Sequence, residues 1–192
     1  MVKKKTSKAK LDDKVDILFC VPGNNFSDLF LQSFAETMKL MQDLGLTWRL
    51  SNGYSCELTR LRNMLARADA QADYHMWIDS DMVWGQKQIV QLFSNDQDIV
   101  SGCYVNLDNE WVHETVNGEY TGVQEASHVG FGFVRYNTKI LKDMKYPFFY
   151  NKQIKEGYIG EDICWCENAQ EAGYKVYVDH DCRIGHEKTT VL

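Results

Sequence analysis

Asp79 and Asp81 flank Ser80 in the stretch YHMWIDSDMVW, residues 74 to 84. Two carboxylates one residue apart suit a hard divalent cation that shares its oxygen ligands with a substrate phosphate. The residues before them are apolar and strand-like, yet aspartate is a poor strand former and is rarely buried without a partner. The pair therefore either caps a turn or holds a cation. Two further Asp-x-Asp triplets occur, Asp96/Asp98 and Asp179/Asp181. The first of these lies between a helical and a strand-like stretch, where turn residues belong. Asp179/Asp181 follows the last strand-like stretch and stays ambiguous.

Three other groups could take part in chemistry. His186, in RIGHEK, is either a surface histidine or a ligand that would tilt a carboxylate site from Mg²⁺ toward Mn²⁺. Glu161 and Asp162, in GED, open a helical stretch, where an acid caps the helix or serves as a general base. Arg62 and Asn63 are either helix-surface residues or reach a phosphate, for which the guanidinium fork is well shaped.

These residues need elements to position them. VDILFCV (15–21) reads as a buried strand broken by PGNN, and Phe30, Phe34, Met38 and Met41 mark one helical face stopped by Gly45. LTWRLS is a short strand. Leu58, Leu61, Leu65 and Ala68 form a second helical stripe, with Arg60, Asn63 and Arg67 on another face. YHMWI is a strand ending at the aspartates, QKQIVQLF a helix and DIVSGCYV a strand. Alternation of this kind predicts a parallel α/β sheet, in which ligands bind beyond the carboxyl ends of the strands. PGNN and DSD both stand at such ends. In the second half, EWVHETVNGEYTGV carries an Asn-Gly turn signal, and ASHVGFGFVRY is strand-like with internal glycines that mark a close approach. GEDICWCENAQEAG is a helix stopped by Gly173, YKVYVD the last strand and HDCRIGHEK a tail.

At 192 residues the chain is expected to form one domain, and its net charge of −6 gives no general attraction to nucleic acid. The lysines at 3, 4, 5, 8 and 10 predict a solvated basic arm over residues 1–14. No signal peptide is expected, because no long apolar run follows the basic start. Apolar stretches are strand-sized, so no transmembrane segment is expected. The six cysteines form no CxxC pair, which fits neither a zinc site nor a disulfide framework and suits a cytoplasmic protein with buried free thiols.

Taken in order, LFCVPGNN, RLRNMLARA, HMWIDSDMVW, DIVSGCYV, HVGFGFVRYNTKIL, GEDICWCENAQEAGYKVYVD and RIGHEK resemble the GT-A glycosyltransferases. The likeness is strongest to the short family 2-like enzymes of viruses, phages and bacteria, and it spans about residues 15 to 188. The resemblance implies a single-domain GT-A fold over 15–192, a mixed and mostly parallel sheet flanked by helices. It implies a nucleotide-binding half (about 15–105) and an acceptor half (about 106–192). The donor would be a nucleoside-diphosphate sugar, a UDP-sugar being expected, with a glycan, protein or lipid-linked acceptor of unknown identity. Val21, Pro22, Gly23, Asn24, Arg62, Asn63, Asp79 and Ser80 would bind the nucleotide. Asp79, Asp81 and His186 would hold Mn²⁺ or Mg²⁺. Asp162 would be the acceptor base of an inverting reaction, with Gly130, Gly132 and Glu161 bordering sugar and acceptor. CVPGNN departs from the pattern in lacking the usual acidic or aromatic nucleoside contacts. Two other readings share the residues: a sugar nucleotidyltransferase or phosphoesterase, and a non-catalytic nucleotide-sugar or glycan-binding module.

Overall fold

The computed structural model describes residues 14–67, 71–106 and 108–187. The expected basic arm falls outside them except for Lys14, which pairs with Asp73, and Ala68 falls outside as well.

In chain order the elements are β1 (Val15–Pro22), α1 (Asp28–Leu44), β2 (Trp48–Gly53), α2 (Leu58–Arg67), β3 (Ala72–Ile78), β4 (Met82–Val83), α3 (Gln86–Phe93) and β5 (Ile99–Cys103). They continue as β6 (His113–Thr115), β7 (Val123–Val129), β8 (Phe133–Asn137), a 3-10 turn (Thr138–Lys142), β9 (Lys152–Ile154), β10 (Gly157–Ile159), α4 (Glu161–Glu171), β11 (Val176–Arg183) and β12 (Gly185–His186). Eight strands form one sheet in the order β2-β1-β3-β8-β5-β11-β7-β6. The strands β1, β2, β3, β5, β6 and β11 point one way, and β7 and β8 run against them.

Alternation along the strands splits the core into two layers. Leu18, Cys20, Trp77 and Val134 face α2 and α4, through Leu61, Leu65, Trp165 and Ala169. Ile17, Phe19, Met76, Ile78 and Phe133 face α1 and α3, through Phe30, Met41, Ile89 and Leu92. A strand buried on both faces reads as a continuous apolar run, which is why VDILFCV was legible.

The structure refines several expectations. Ser27 caps α1 by accepting the Phe30 N–H at 3.0 Å, and Gly45 ends it at φ +69°. Its buried stripe is Phe30, Ser33, Thr37 and Met41, with Phe34 and Met38 only partly buried. Hydroxyls replace apolar residues there because Trp84 donates its backbone N–H to Ser33 and its indole N–H to Thr37, at 3.2 and 2.8 Å. The glycine-bearing stretch is two strands, not one, broken at Gly130–Gly132. The last strand continues through Arg183, and the expected tail returns as β12 to pair with β4. All six cysteines are free and only Cys56 is exposed. No helix among the described residues is long and apolar enough to cross a membrane.

Candidate active site

Asp79 leaves the end of β3 with its N–H on Gly132 O at 2.9 Å, and its own carbonyl accepts the Met82 N–H at 3.2 Å. That tight turn swings Asp81 outward, where about half its side chain is exposed. The β4–β12 ladder then brings in the far end of the chain: Glu187 N–H donates to Asp81 O at 2.8 Å, and His186 pairs with Met82. As a result His186 Nε2 lies 3.0 Å from Asp81 Oδ2, although 105 residues separate them.

The other ring nitrogen decides what that contact means. His186 Nδ1 is 2.8 Å from the Val105 carbonyl, which can only accept, so Nδ1 carries a proton. In a neutral ring Nε2 is then a bare lone pair aimed at a carboxylate oxygen. Either a proton or a metal ion must stand between two such groups. Two ligands held about 2.1 Å from one cation at a right angle are about 3 Å apart. A metal-binding histidine also commonly donates its second N–H to a carbonyl. The pair therefore fits a divalent ion. Among the described residues, however, no three His, Cys, Asp or Glu side chains converge on one point.

Asp79 is the reason. Its carboxylate turns inward, and Arg62 Nη2 donates to both oxygens at 3.1 and 3.3 Å. Burial raises the Asp79 pKa to about 6; Arg62 opposes that shift, and the nearby Asp81, Glu161 and Asp162 carboxylates reinforce it. Arg62 itself is buried, with Nε 3.5 Å from Glu161 Oε1. Neither Arg62 nor Asn63 is on the surface. The Asn63 amide clamps the Phe149 backbone in both directions, donating to its carbonyl at 2.6 Å and accepting its N–H at 3.1 Å. Both side chains are thus engaged by internal partners.

Asp162 stands in the first turn of α4 after the N-cap Gly160, where its Oδ1 accepts the adjoining Ile163 N–H at 2.8 Å. Gly130 and Gly132 face the protein interior. A Cβ on either would come within 2.5 Å of Tyr104 Oη or Met82 Cε, and the Gly132 N–H donates to Tyr104 Oη at 2.7 Å. Their glycine identity answers to Tyr104 and Met82 packing, which the sequence pattern did not reveal.

Val21 and Pro22 are buried, whereas Gly23 is half-buried and Asn24 exposed. Asn52 fastens this loop by donating to the Val21 and Gly23 carbonyls at 2.7 and 3.0 Å. Gly23, at φ +141°, packs directly on Ser80, so a Cβ there would stand 2.6 Å from Ser80 Cβ. The loop after β1 and the turn after β3 thus touch. Beside them lies a cleft of about 450 Å³ lined by Asn25, Phe26, Ser27, Ser80, Asp81 and Glu187. Ser27 donates to Glu187 across it. Sequence reasoning missed Asn25, Phe26, Ser27 and Glu187; the capping serine and the acid beside His186 were the available signals. A larger cleft, about 780 Å³, opens beside α2 and includes Arg60, Asn63, Tyr150 and Glu161.

No family model matches the chain, and no curated protein matches it. Solved structures do match over most of its length. A197 from STIV aligns at 15% identity and a TM-score of 0.59, over 93% of this chain and 97% of that one. The catalytic domain of Drosophila beta1,4-galactosyltransferase 7, in complex with xylobiose, aligns at 13% identity and 0.58, over 91% and 71%. GalNAc-T7 with UDP, GalNAc and Mn²⁺ aligns at 11% and 0.58, over 91% of this chain but 44% of that one. The chain has the fold of GT-A glycosyltransferase catalytic domains. At these identities the likeness is one of fold, and function has to be argued from the site.

Proposed function

We propose that this protein is a metal-dependent glycosyltransferase that moves a sugar from a nucleoside-diphosphate sugar, expected to be a UDP-sugar, to an acceptor hydroxyl with inversion. The observation that carries the reading is the Asp81–His186 pair, a carboxylate oxygen and an imidazole nitrogen 3.0 Å apart at the carboxyl end of a central strand in a GT-A-like fold. Asp81 and His186 would hold Mn²⁺ or Mg²⁺, an ion that typically takes few protein ligands and shares the rest of its shell with substrate phosphate. When bound, it would supply neutralising charge for the diphosphate leaving group.

The chain's own residues would do the rest. Gly23, Asn24 and the Ser80 turn border the cleft end where the nucleotide would lie, and the buried Val21 and Pro22 hold that border rigid. Ser27 and Glu187 line the same cleft. Asp162 would accept the proton of the incoming hydroxyl, a contribution typically of about 10²–10⁴-fold. Glu161, between the larger cleft and Arg62, would orient that carboxylate's neighbourhood.

A screen of UDP-sugars with Mn²⁺ tests the reading, with release of UDP and mass gain on candidate acceptors as readouts. UDP release or transfer that needs the ion supports it. Cleavage to a sugar phosphate, or tight UDP-sugar binding without any turnover, would replace it with a phosphoryl-transfer enzyme or a binding module.

A further inference from the structure

Arg62 is the one cation placed between the two acidic parts of the candidate site among the described residues, and its surroundings are unusual for a guanidinium. Its side chain is 4% exposed. The guanidinium carbon lies 5.4 Å from the centroid of the Phe131 ring and 6.0 Å from those of Trp77 and Phe149. Burying a charge is unfavourable unless it is paired, and removing one member of a buried pair strands the other. Here the charge is divided between two elements. Nη2 donates to both oxygens of Asp79, at the end of β3. Nε faces Glu161, in the first turn of α4, at 3.5 Å, a separation that allows ion pairing but is loose for a hydrogen bond. Nη1 is buried with no hydrogen-bond partner.

We propose that Arg62 is a positioning residue for glycosyl transfer: one buried guanidinium that fixes the acidic turn after β3 against the start of α4, and so fixes Asp162 relative to Asp81. This rests on the glycosyltransferase reading above. Asp79 and Glu161 belong to elements that do not pair with each other in the sheet. The aromatic rings hold the guanidinium in one orientation, and its Nη2 and Nε reach two different carboxylates. A lysine ammonium is a single point and lacks that fork. Arg62 would touch no substrate. Its effect would be on the geometry in which base and cation site act together, a kind of alignment on which turnover depends steeply.

The test compares Arg62→Met, Arg62→Lys and Glu161→Gln with the unmodified protein, using melting temperature, UDP affinity in Mn²⁺ by calorimetry, and UDP release from a UDP-sugar at saturation. For Arg62→Met the expected outcome is turnover lowered about 100-fold or more, with UDP affinity changed less than about threefold. Arg62→Lys should regain most of the lost melting temperature but only a minor part of the lost turnover. Glu161→Gln should slow turnover in the unmodified protein and add little on the Arg62→Lys background, because the link is already broken there. If Arg62→Met does not fold, the Lys and Gln comparison decides alone. Turnover within threefold of normal in a folded Arg62→Met or Arg62→Lys variant overturns the proposal. So does a loss of UDP affinity at unchanged turnover, which would make Arg62 a direct donor contact, and so does full additivity of the Lys and Gln substitutions. Failure of the glycosyltransferase reading shows separately: an unmodified protein that releases no UDP from any UDP-sugar refutes that reading and this role together.

Discussion

One Asp-x-Asp triplet follows a strand of the sheet and another lies within a strand that points the same way, and the structure uses them oppositely. Asp79-Ser80-Asp81 follows β3 and turns out of the sheet, so Asp81 meets a histidine and Asp79 an arginine. Asp179-His180-Asp181 stays inside β11. There Asp179 is buried and accepts the amide N–H groups of Gln91 and Asn95, both at 3.1 Å, and the Asp181 N–H at 3.0 Å. Three neutral donors thus hold that carboxylate as a structural acceptor. The remaining triplet, Asp96/Asp98, lies in the loop before β5, where Asp98 pairs with Lys139 at 2.7 Å. Identical spacing therefore carries little information. What separates a candidate cation site from a strut is the type of partner that the lone pairs meet.

The largest expected effect would break or establish this contrast directly. Asp81→Asn should weaken Mn²⁺-dependent UDP binding by about 100-fold or more, since even partners one shell removed from a metal commonly matter 10–100-fold. Asp181→Asn should leave it within about twofold. Calorimetry with and without the ion reads both, and equal losses would erase the distinction. Next, Asp162→Asn keeps an oxygen for the Ile163 N–H but cannot accept a proton near neutral pH. Turnover should fall about 100-fold with near-normal melting and UDP affinity, as a base acts in the transition state. A variant that melts early but turns over normally would make Asp162 a cap.

His186→Ala should raise the Mn²⁺ concentration for half-maximal UDP binding by about 10-fold or more. A metal titration matching the unmodified protein would return His186 to a packing role against Tyr104, whose ring lies 5.8 Å away. On the structural side, Asp179→Ala leaves two side-chain amides and a backbone N–H without their acceptor. Chemical denaturation should show a loss of about 1–3 kcal/mol or more, with UDP affinity intact.

The smallest effect concerns His180, inside the Asp179/Asp181 triplet, and its partner His113. His180 Nδ1 donates to Gly122 O at 3.2 Å, so its Nε2 accepts a proton from His113 Nε2 at 2.9 Å. The pair is buried and shares that single proton, and a second would add charge there. Burial first, then His180 and His128, lower the His113 pKa to about 4. The folded state thus binds fewer protons than the unfolded one between about pH 6.5 and 4, and stability should decline as pH falls through that window. His75, wholly buried and lowered to about 3, acts in the same direction. Melting curves of His113→Gln between pH 7 and 4.5 should show a shallower acid decline than the unmodified protein. Parallel declines would leave the pair without influence.

How much was legible follows from how local each feature is. The strand VDILFCV, the helix ending at Gly45 and the helix starting at GED depend on apolar period, capping and left-handed glycine, all encoded within a few residues. The α/β alternation and the place of Asp79–Asp81 at a strand's carboxyl end followed from those. Partner choice did not. Arg62 and Arg60 look alike in RLR, yet the first is buried among three aromatic rings supplied by β3, the β7–β8 turn and the segment before β9. Gly130 and Gly132 signalled a close approach, but only the packed structure shows that the approaching groups are Tyr104 and Met82. His186 acquires its partner through a two-residue ladder to β4, too short for any periodicity to announce. By itself the sequence determined the main strands and helices of the first half and that Asp79 and Asp81 follow a strand's end, because backbone propensity and apolar patterning act over short range. Only the tertiary structure decided which carboxylate meets a histidine, which an arginine and which an amide, because hydrogen-bond and ion-pair energies fall off within a few ångströms and depend on groups a hundred residues apart.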